Sequence, residues 1–473
     1  MRNVANSRFR PESCFQVLRL SSLPVVLLCI VATVIFFWPP PAGATVVTMH
    51  AAALMVLTVG LWALGAMPEH ITSLLFFLLA MVFAIASPQA VFSGFASPTM
   101  WLVLGGLFIA YAVTATGLGQ RFIGLLFELY TFSYGGLLLA IALIATVLAF
   151  FMPATVGRML LLIPIVAALA ARVGFAPNSS GYHGLMLCAI IISYQSGNGI
   201  LPANAPNLVL AGAGEALYGV HLIYGEYLWV IFPVLCVLKG LAAIALIYWL
   251  FPAEVESLAT PVAREPMSAE EKRLAIILIV AIVLWATDFA HGIRAGWVAL
   301  AAALACMLPR IGVLPYSAFN EVRLGSYFYV GGTIGLGAIV QESGLGELLG
   351  KTLQATLDLR AGADFANFIT LSLLGMFTGV VVTNPAQPAV LAPLAGQFAD
   401  ATGWSIKSAL MISAIGFNTM ILPYQVPPVV VGMQLAGVSL ATTLKATLPL
   451  AAAGILIFLP LEYLWWRWIG YFG

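Results

Sequence analysis

Two apolar helices in this chain cannot run uninterrupted, and their breaks constrain the fold more than any other feature. In residues 193–210, SYQSGNGILPANAPNLVL, an otherwise apolar stretch holds three Asn, two Pro and two Gly. Proline removes a backbone donor and blocks the preceding turn, and glycine loosens the backbone, so a helix must break here. A second interruption, SAIGFNTMILPYQVPPVVVG at 413–432, repeats the first. Ile200-Leu201-Pro202 returns as Ile421-Leu422-Pro423, and Pro206 is echoed by Pro427-Pro428. In hydrocarbon, unwound backbone is tolerated only beside protein or a wet cavity. Freed carbonyls hold cations and half-helix N-termini hold anions, so a pair of matched breaks points to a binding site. A lone break would read equally well as a packing kink.

The duplication extends upstream. FMPATVGRMLLLIP (151–164) pairs with VVVTNPAQPAVLAP (380–393), and GGLFIAYAVTATGLGQRF (105–122) with GGTIGLGAIVQESGLGEL (331–348). Matched segments in the same order, each interrupted at the same place, are the sequence mark of a secondary transporter built from two halves.

Composition sets the solvent. The 473 residues are 62% hydrophobic and 8% charged, with mean hydropathy +1.05. Soluble domains carry about 25% charged residues, so this is a polytopic all-α membrane protein. At ~20 residues per span the apolar segments suffice for roughly eleven helices plus re-entrant pieces. A net charge of +1 implies no nucleic-acid partner. The cysteines (14, 29, 188, 236, 306) are scattered without a CxxC, and the histidines (50, 70, 183, 221, 291) are dispersed. Neither set suggests a metal framework. GELLGKT (346–352) lacks the first glycine of a phosphate loop and any plausible preceding strand, which argues against ATP drive.

In chain order, the expected organisation is a basic N-terminus and first helix (1–45), repeat 1 (46–251), a hydrophilic linker (252–273) and repeat 2 (274–473). Arg2, Arg8, Arg10 and Arg19 before an apolar run fit a retained helix with a cytoplasmic start, with a cleaved signal peptide as the competing reading. Glu69 and His70 sit at a helix start, where capping suits a carboxylate. Asp288 and His291 lie at a span end and read as interface residues rather than a proton pair. Tyr463, Trp465, Trp466, Trp468 and Tyr471 form an aromatic belt at the last exit from the bilayer.

Aligning Pro164 with Pro393 sets Ala154-Thr155-Val156 opposite Thr383-Asn384-Pro385. Here the chain resembles the divalent anion:sodium symporter family, which has a Ser-Asn-Thr turn in each half, ten residues ahead of such a proline. That family also carries a small-residue-Pro-Pro-Asn sequence at each break, where this chain has Ala203-Asn204-Ala205-Pro206-Asn207 and Gln425-Val426-Pro427-Pro428-Val429. The resemblance runs from about Val46 onward and includes MPEHITSLLFFLLAMVF and SGFASPTMWLVLGGLFIAYAVTATGLG. It implies two repeats, each with a re-entrant or helical hairpin and a broken transmembrane helix. It also implies a substrate site drawn from Thr155, Val156, Arg158, Asn204, Asn207, Asn384, Pro385, Val426 and Pro427. Cation positions would fall at Asn198, Gly199, Ala203, Thr383, Asn384, Asn418 and Thr419, with no cofactor beyond sodium ions. Ala154 and Val156 offer no side-chain oxygen, so sodium sites in the first half would be poor, since hard cations want several oxygens.

Arg158 stands where the family pattern is apolar or small. A charge there costs ~2.5–3.5 kcal/mol or more facing lipid, so it must face a cavity or a partner. The bland reading is snorkelling or pairing with a distant acid such as Glu215 or Glu342. The functional reading is that the guanidinium supplies charge that sodium supplies in relatives, either by binding an anion directly or by replacing a cation. Gln195, Gln387 and Asn418 are further cavity candidates, with helix–helix hydrogen bonding as the alternative. Pro153, Pro385 and Pro388 shape the turns.

The resulting expectation is a permease of small anions, di- or tricarboxylates or sulfate, working by alternating access in the cell (inner or plasma) membrane as a homodimer among lipid. Sodium coupling, sodium-independent exchange and proton coupling stay open. A cation/proton antiporter or metalloid permease would want paired acids at the breaks, and neither 193–207 nor 413–429 contains one. A membrane enzyme ranks last.

Overall fold

The computed structural model describes residues 23–121, 133–152, 154–255 and 266–472. The N-terminal basic residues, Cys14, Pro153 and residues 256–265 of the hydrophilic linker lie outside the described residues. All regular structure among the described residues is helical. Among the described residues seven helices are long and apolar enough to cross a membrane, and further apolar segments counted among the roughly eleven expected spans form shorter helices or stop at the breaks.

The first half runs through α1 (Leu23–Phe37), α2 (Val46–Leu64), α3 (Glu69–Val82) and α4 (Pro98–Thr116). α5 (Tyr134–Phe151) and α6 (Thr155–Arg172) follow, with Met152 and Ala154, both extended, forming the first turn between them. The first broken helix follows as α7 (Ser180–Asn198), a 3-10 turn at Leu201–Ala203, and α8 (Ala205–Tyr218). It leads into the long α9 (Tyr224–Leu250). The second half repeats the plan. α10 (Ala269–Ala286), α11 (Ala295–Met307), α12 (Gly325–Glu342) and α13 (Leu345–Leu357) precede α14 (Asp364–Val382), a turn at 383–386, α15 (Gln387–Leu391) and α16 (Ala395–Thr402). The second broken helix is α17 (Ile406–Phe417), a 3-10 turn at Pro423–Gln425 and α18 (Pro427–Ala436), followed by the long α19 (Leu440–Trp468).

Local chemistry sets the ends. Ser133, Ser179, Ser405 and Ser439 accept a backbone N–H at the starts of α5, α7, α17 and α19, the role hydroxyl side chains fill at N-caps. Each long closing helix contains a widened π segment, Phe232–Leu238 in α9 and Gly454–Phe458 in α19. Such segments frequently mark functional sites.

The halves interlock reciprocally. α8 packs on α15 of the other half, and α18 packs on α6. Each half-helix beyond a break therefore lies against the helix that follows the opposite turn. Gly432 of α18 permits one of these crossings, since a Cβ there would meet Met159 Sδ at 2.9 Å. Small residues let membrane helices approach closely, and this crossing uses that freedom.

The interface residues resolve simply. Asp288 accepts the Tyr224 N–H at 2.7 Å and so caps α9, while His291 contacts the Leu284 carbonyl at 2.8 Å. They serve different partners and form no proton pair. Among the described residues no group of three His, Cys, Asp or Glu is placed to hold a metal.

Candidate functional site

The first turn folds directly onto the first break, and Arg158 joins them. Its guanidinium is fully buried. One terminal nitrogen donates to the Met152 carbonyl of the turn and to the Ala203 carbonyl of the break at 2.9 Å. The other donates to Thr155 Oγ1 at 3.0 Å and to the Ser193 carbonyl at 2.9 Å. Gly197 leaves the room, for a Cβ there would run into the guanidinium. Neither acid considered as a distant partner is the one that holds Arg158. Glu215 is engaged by Ser97, Thr99 and His221, and Glu342 by Ser87. The side chain therefore sits in a cage of protein oxygens, an arrangement suited to a cation.

Around it the asparagines of the break lock one another. Thr155 Oγ1 donates to Asn204 Oδ1 at 3.3 Å, and the Asn204 amide donates to Asn198 Oδ1. Asn207 spans the unwound turn by donating to the Gly197 and Ile200 carbonyls, both at 2.9 Å. Gly199 faces the π segment of α9, where a Cβ would meet Phe232 and Cys236. Val156 is half-buried and brings no polar atom.

The second turn meets the second break by main-chain pairing. The Asn384 N–H donates to the Gln425 carbonyl at 2.8 Å, and the Gln425 amide returns a 3.4 Å bond to Asn384 Oδ1. The Asn384 amide also donates to the Phe417 carbonyl at 2.9 Å and to the Tyr194 hydroxyl at 2.8 Å. Tyr194 in turn donates to the Phe417 carbonyl at 2.5 Å. The second-half turn is thus tied to both broken helices. Thr383, ending α14, holds φ 78° and ψ 151°. A threonine is rarely found there, and such strained backbone clusters at functional sites. Pro385 and Val426 are buried without a side-chain hydrogen-bonding group, and Pro427 starts α18 half-buried.

Lys239 completes the second break. It follows the π segment of α9 and is 2% exposed. Its ammonium donates to the Asn418 carbonyl at 2.9 Å and to Thr419 Oγ1 at 3.3 Å. A cavity of about 10 Å³ lies between α7, α9, α19 and the second break, lined among others by Tyr194, Gln195, Lys239, Asn418, Thr419 and Thr447. That is room for about one water. Buried polar atoms in native structures are nearly always hydrogen-bonded. Here Arg158 Nε, Ser193 Oγ, Asn198 Nδ2, Asn207 Oδ1, Thr447 Oγ1 and the side-chain amides of Gln387 and Asn418 have no partner. Unspent donors and acceptors at two breaks and their turns equip the region to hold a small polar solute.

The site residues read from the sequence thus lie at the two turn-and-break units, and Gly199, which ends α7, faces the π segment of α9. Tyr194 and Lys239 were missed as site residues. A buried lysine in a hydrophobic span was the available signal for the second.

Comparison with known proteins agrees with this architecture. The family profile of the sodium:sulfate symporter transmembrane region matches residues 20–472. A membrane protein of Cupriavidus necator is 25% identical over 80% of this chain and 76% of its own length. The sodium-dependent dicarboxylate transporter SdcS of Staphylococcus saprophyticus is 22% identical over 78% of this chain and 76% of its own. The crystal structure of the Alcanivorax borkumensis YdaH transporter superposes with TM-score 0.56 over 90% of this chain and 98% of that one, at 14% identity. With matched interruptions, interlocked halves and a match over nearly its whole length, the chain belongs to the sodium:sulfate symporter family and is a multi-pass membrane transporter rather than an enzyme.

Proposed function

We propose that the chain carries small anions, di- or tricarboxylates or sulfate, by alternating access at the junction of the two turn-and-break units. The observation that carries this reading is the set of buried, unpartnered groups at that junction, Asn198 Nδ2 and the side-chain amides of Asn418 and Gln387. Side-chain amides donate to carboxylate or sulfate oxygens, and half-helix N-termini add positive potential. Relatives named as dicarboxylate transporters support the substrate class.

The 10 Å³ cavity is far smaller than a dicarboxylate, so admission of substrate requires the two units to part. In this reading the Asn384–Tyr194–Phe417 bonds are made when the units close and broken when they open. An antiporter reading would want two acids at the breaks. Glu462, a buried acid on α19, instead accepts from Trp466 at 3.0 Å.

Binding is tested by thermal unfolding of the purified chain with succinate, citrate or sulfate. A ligand of the folded state alone raises the midpoint with concentration. A rise with at least one anion, abolished by Asn418→Leu, is the expected result. No rise with any of them counts against the reading.

A further inference from the structure

Each broken helix in this structure holds a cation that belongs to the protein. At the first break, the Met152, Ser193 and Ala203 carbonyls and Thr155 Oγ1 all accept from the Arg158 guanidinium. At the second, the Asn418 carbonyl and Thr419 Oγ1 accept from the Lys239 ammonium. Unwound backbone carbonyls, here those of Ala203 and Asn418, are the kind of oxygen that holds a monovalent metal ion in broken-helix transporters. A sodium ion does not fit beside them. The oxygens it would need are spent, and a second positive charge within a few ångströms is strongly repelled in a low-dielectric site.

The surroundings are shaped for these side chains. Gly454 opens the π segment of α19 beside this pair, where a Cβ would stand in ordinary van der Waals contact with Thr419 Oγ1 at 3.4 Å and Lys239 Cε at 3.5 Å. At the first break Gly197 clears the space for Arg158.

We propose that Arg158 and Lys239 are tethered cations standing in place of sodium at the two breaks, so that this chain moves its anion without a sodium ion. The inference rests on the transport reading for its consequence, because fixed charges stay with the protein. The carrier then works as a uniporter that moves the anion's own charge, or as an exchanger that moves the difference between the two anions it carries.

The deciding experiment needs no substrate. Thermal unfolding of the purified full chain is followed as sodium chloride replaces choline chloride at constant ionic strength. The wild type and Lys239→Arg are expected to show the same midpoint in both salts. Lys239→Ala and Arg158→Ala, which free the oxygens, are expected to gain a sodium-specific rise. A sodium-specific rise in the wild type overturns the proposal, as do alanine variants that fold and stay blind to sodium. If both alanine variants fail to fold, the wild type and Lys239→Arg decide alone. In proteoliposomes, uptake of labelled succinate or sulfate is expected to be equal with and without sodium, and a several-fold stimulation overturns the proposal. Vesicles that take up neither anion contradict the transport reading, while the salt titration still settles the tethered cations.

Discussion

Asn384 in the second half donates its side-chain amide to the hydroxyl of Tyr194 in the first, at 2.8 Å and out of contact with solvent. The same hydroxyl donates to the Phe417 carbonyl at the end of α17. One phenol therefore connects the second turn to both broken helices. Tyr194→Phe keeps the ring and removes the link, leaving one Asn384 Nδ2 hydrogen without an acceptor while its bond to the Phe417 carbonyl and the bond from Gln425 to Asn384 Oδ1 remain. A buried hydrogen-bonding group deprived of a partner costs about 1–3 kcal/mol. The variant should unfold at lower temperature and, because the closed arrangement is weakened, show altered exchange rates in vesicle transport.

Gly375 and Gly416 let α14 and α17 touch backbone to backbone. A Cβ at Gly416 would meet Gly375 Cα at 2.8 Å and the Gln387 amide at 2.7 Å. Gly416→Val must push the second turn away from the second break. Overpacking of this kind costs about 1–3 kcal/mol. A thermal midpoint unchanged from wild type would contradict the close crossing.

Thr383 carries its φ of 78° without the freedom of glycine. Thr383→Gly relieves that conformation, which costs on the order of 1–3 kcal/mol in other proteins. The variant should be more stable to heat, and transport assays will show whether the hydroxyl is also needed.

The halves are also joined at the water interface, where Arg121 Nε donates to Glu271 Oε1 at 2.8 Å. That bond, with a smaller contribution from Ser268, holds the Glu271 carboxyl below its ordinary value of 4.5, against the upward pull of desolvation. A carboxyl whose folded-state value is depressed adds stability that is fully present above the unfolded value and lost as pH falls through the folded one. Wild type should therefore lose stability relative to Glu271→Gln on acidification below about pH 4.5. At neutral pH the variant should be less stable by about 1 kcal/mol or less. Paired unfolding curves at pH 4 and 7 give both numbers.

The two interruptions, the turns and most helix ends were legible in the sequence because proline, glycine and serine act locally. α7 stops at Asn198 and α17 at Phe417, inside the stretches marked by Pro202 and Pro423. Thr155, Asn204 and Asn384 were marked as candidate site residues by the family resemblance, and all three fall at the turns and breaks. Tyr194 and Lys239 were not, since their partners lie about half the chain away and no local pattern announces such contacts. The π segments that aim Lys239 leave no compositional trace either. Arg158 was legible as an anomaly, but only the geometry distinguishes an anion-binding role from an oxygen cage.

The central claim is that the two turn-and-break units part and close around a small anion. Counterflow measures it most directly: proteoliposomes loaded with unlabelled succinate or sulfate are diluted into the labelled anion. The account predicts transient accumulation above protein-free vesicles for at least one of them, reduced about tenfold or more by Asn198→Leu combined with Asn418→Leu. Accumulation no greater than in protein-free vesicles, or full uptake by the double variant, would contradict it.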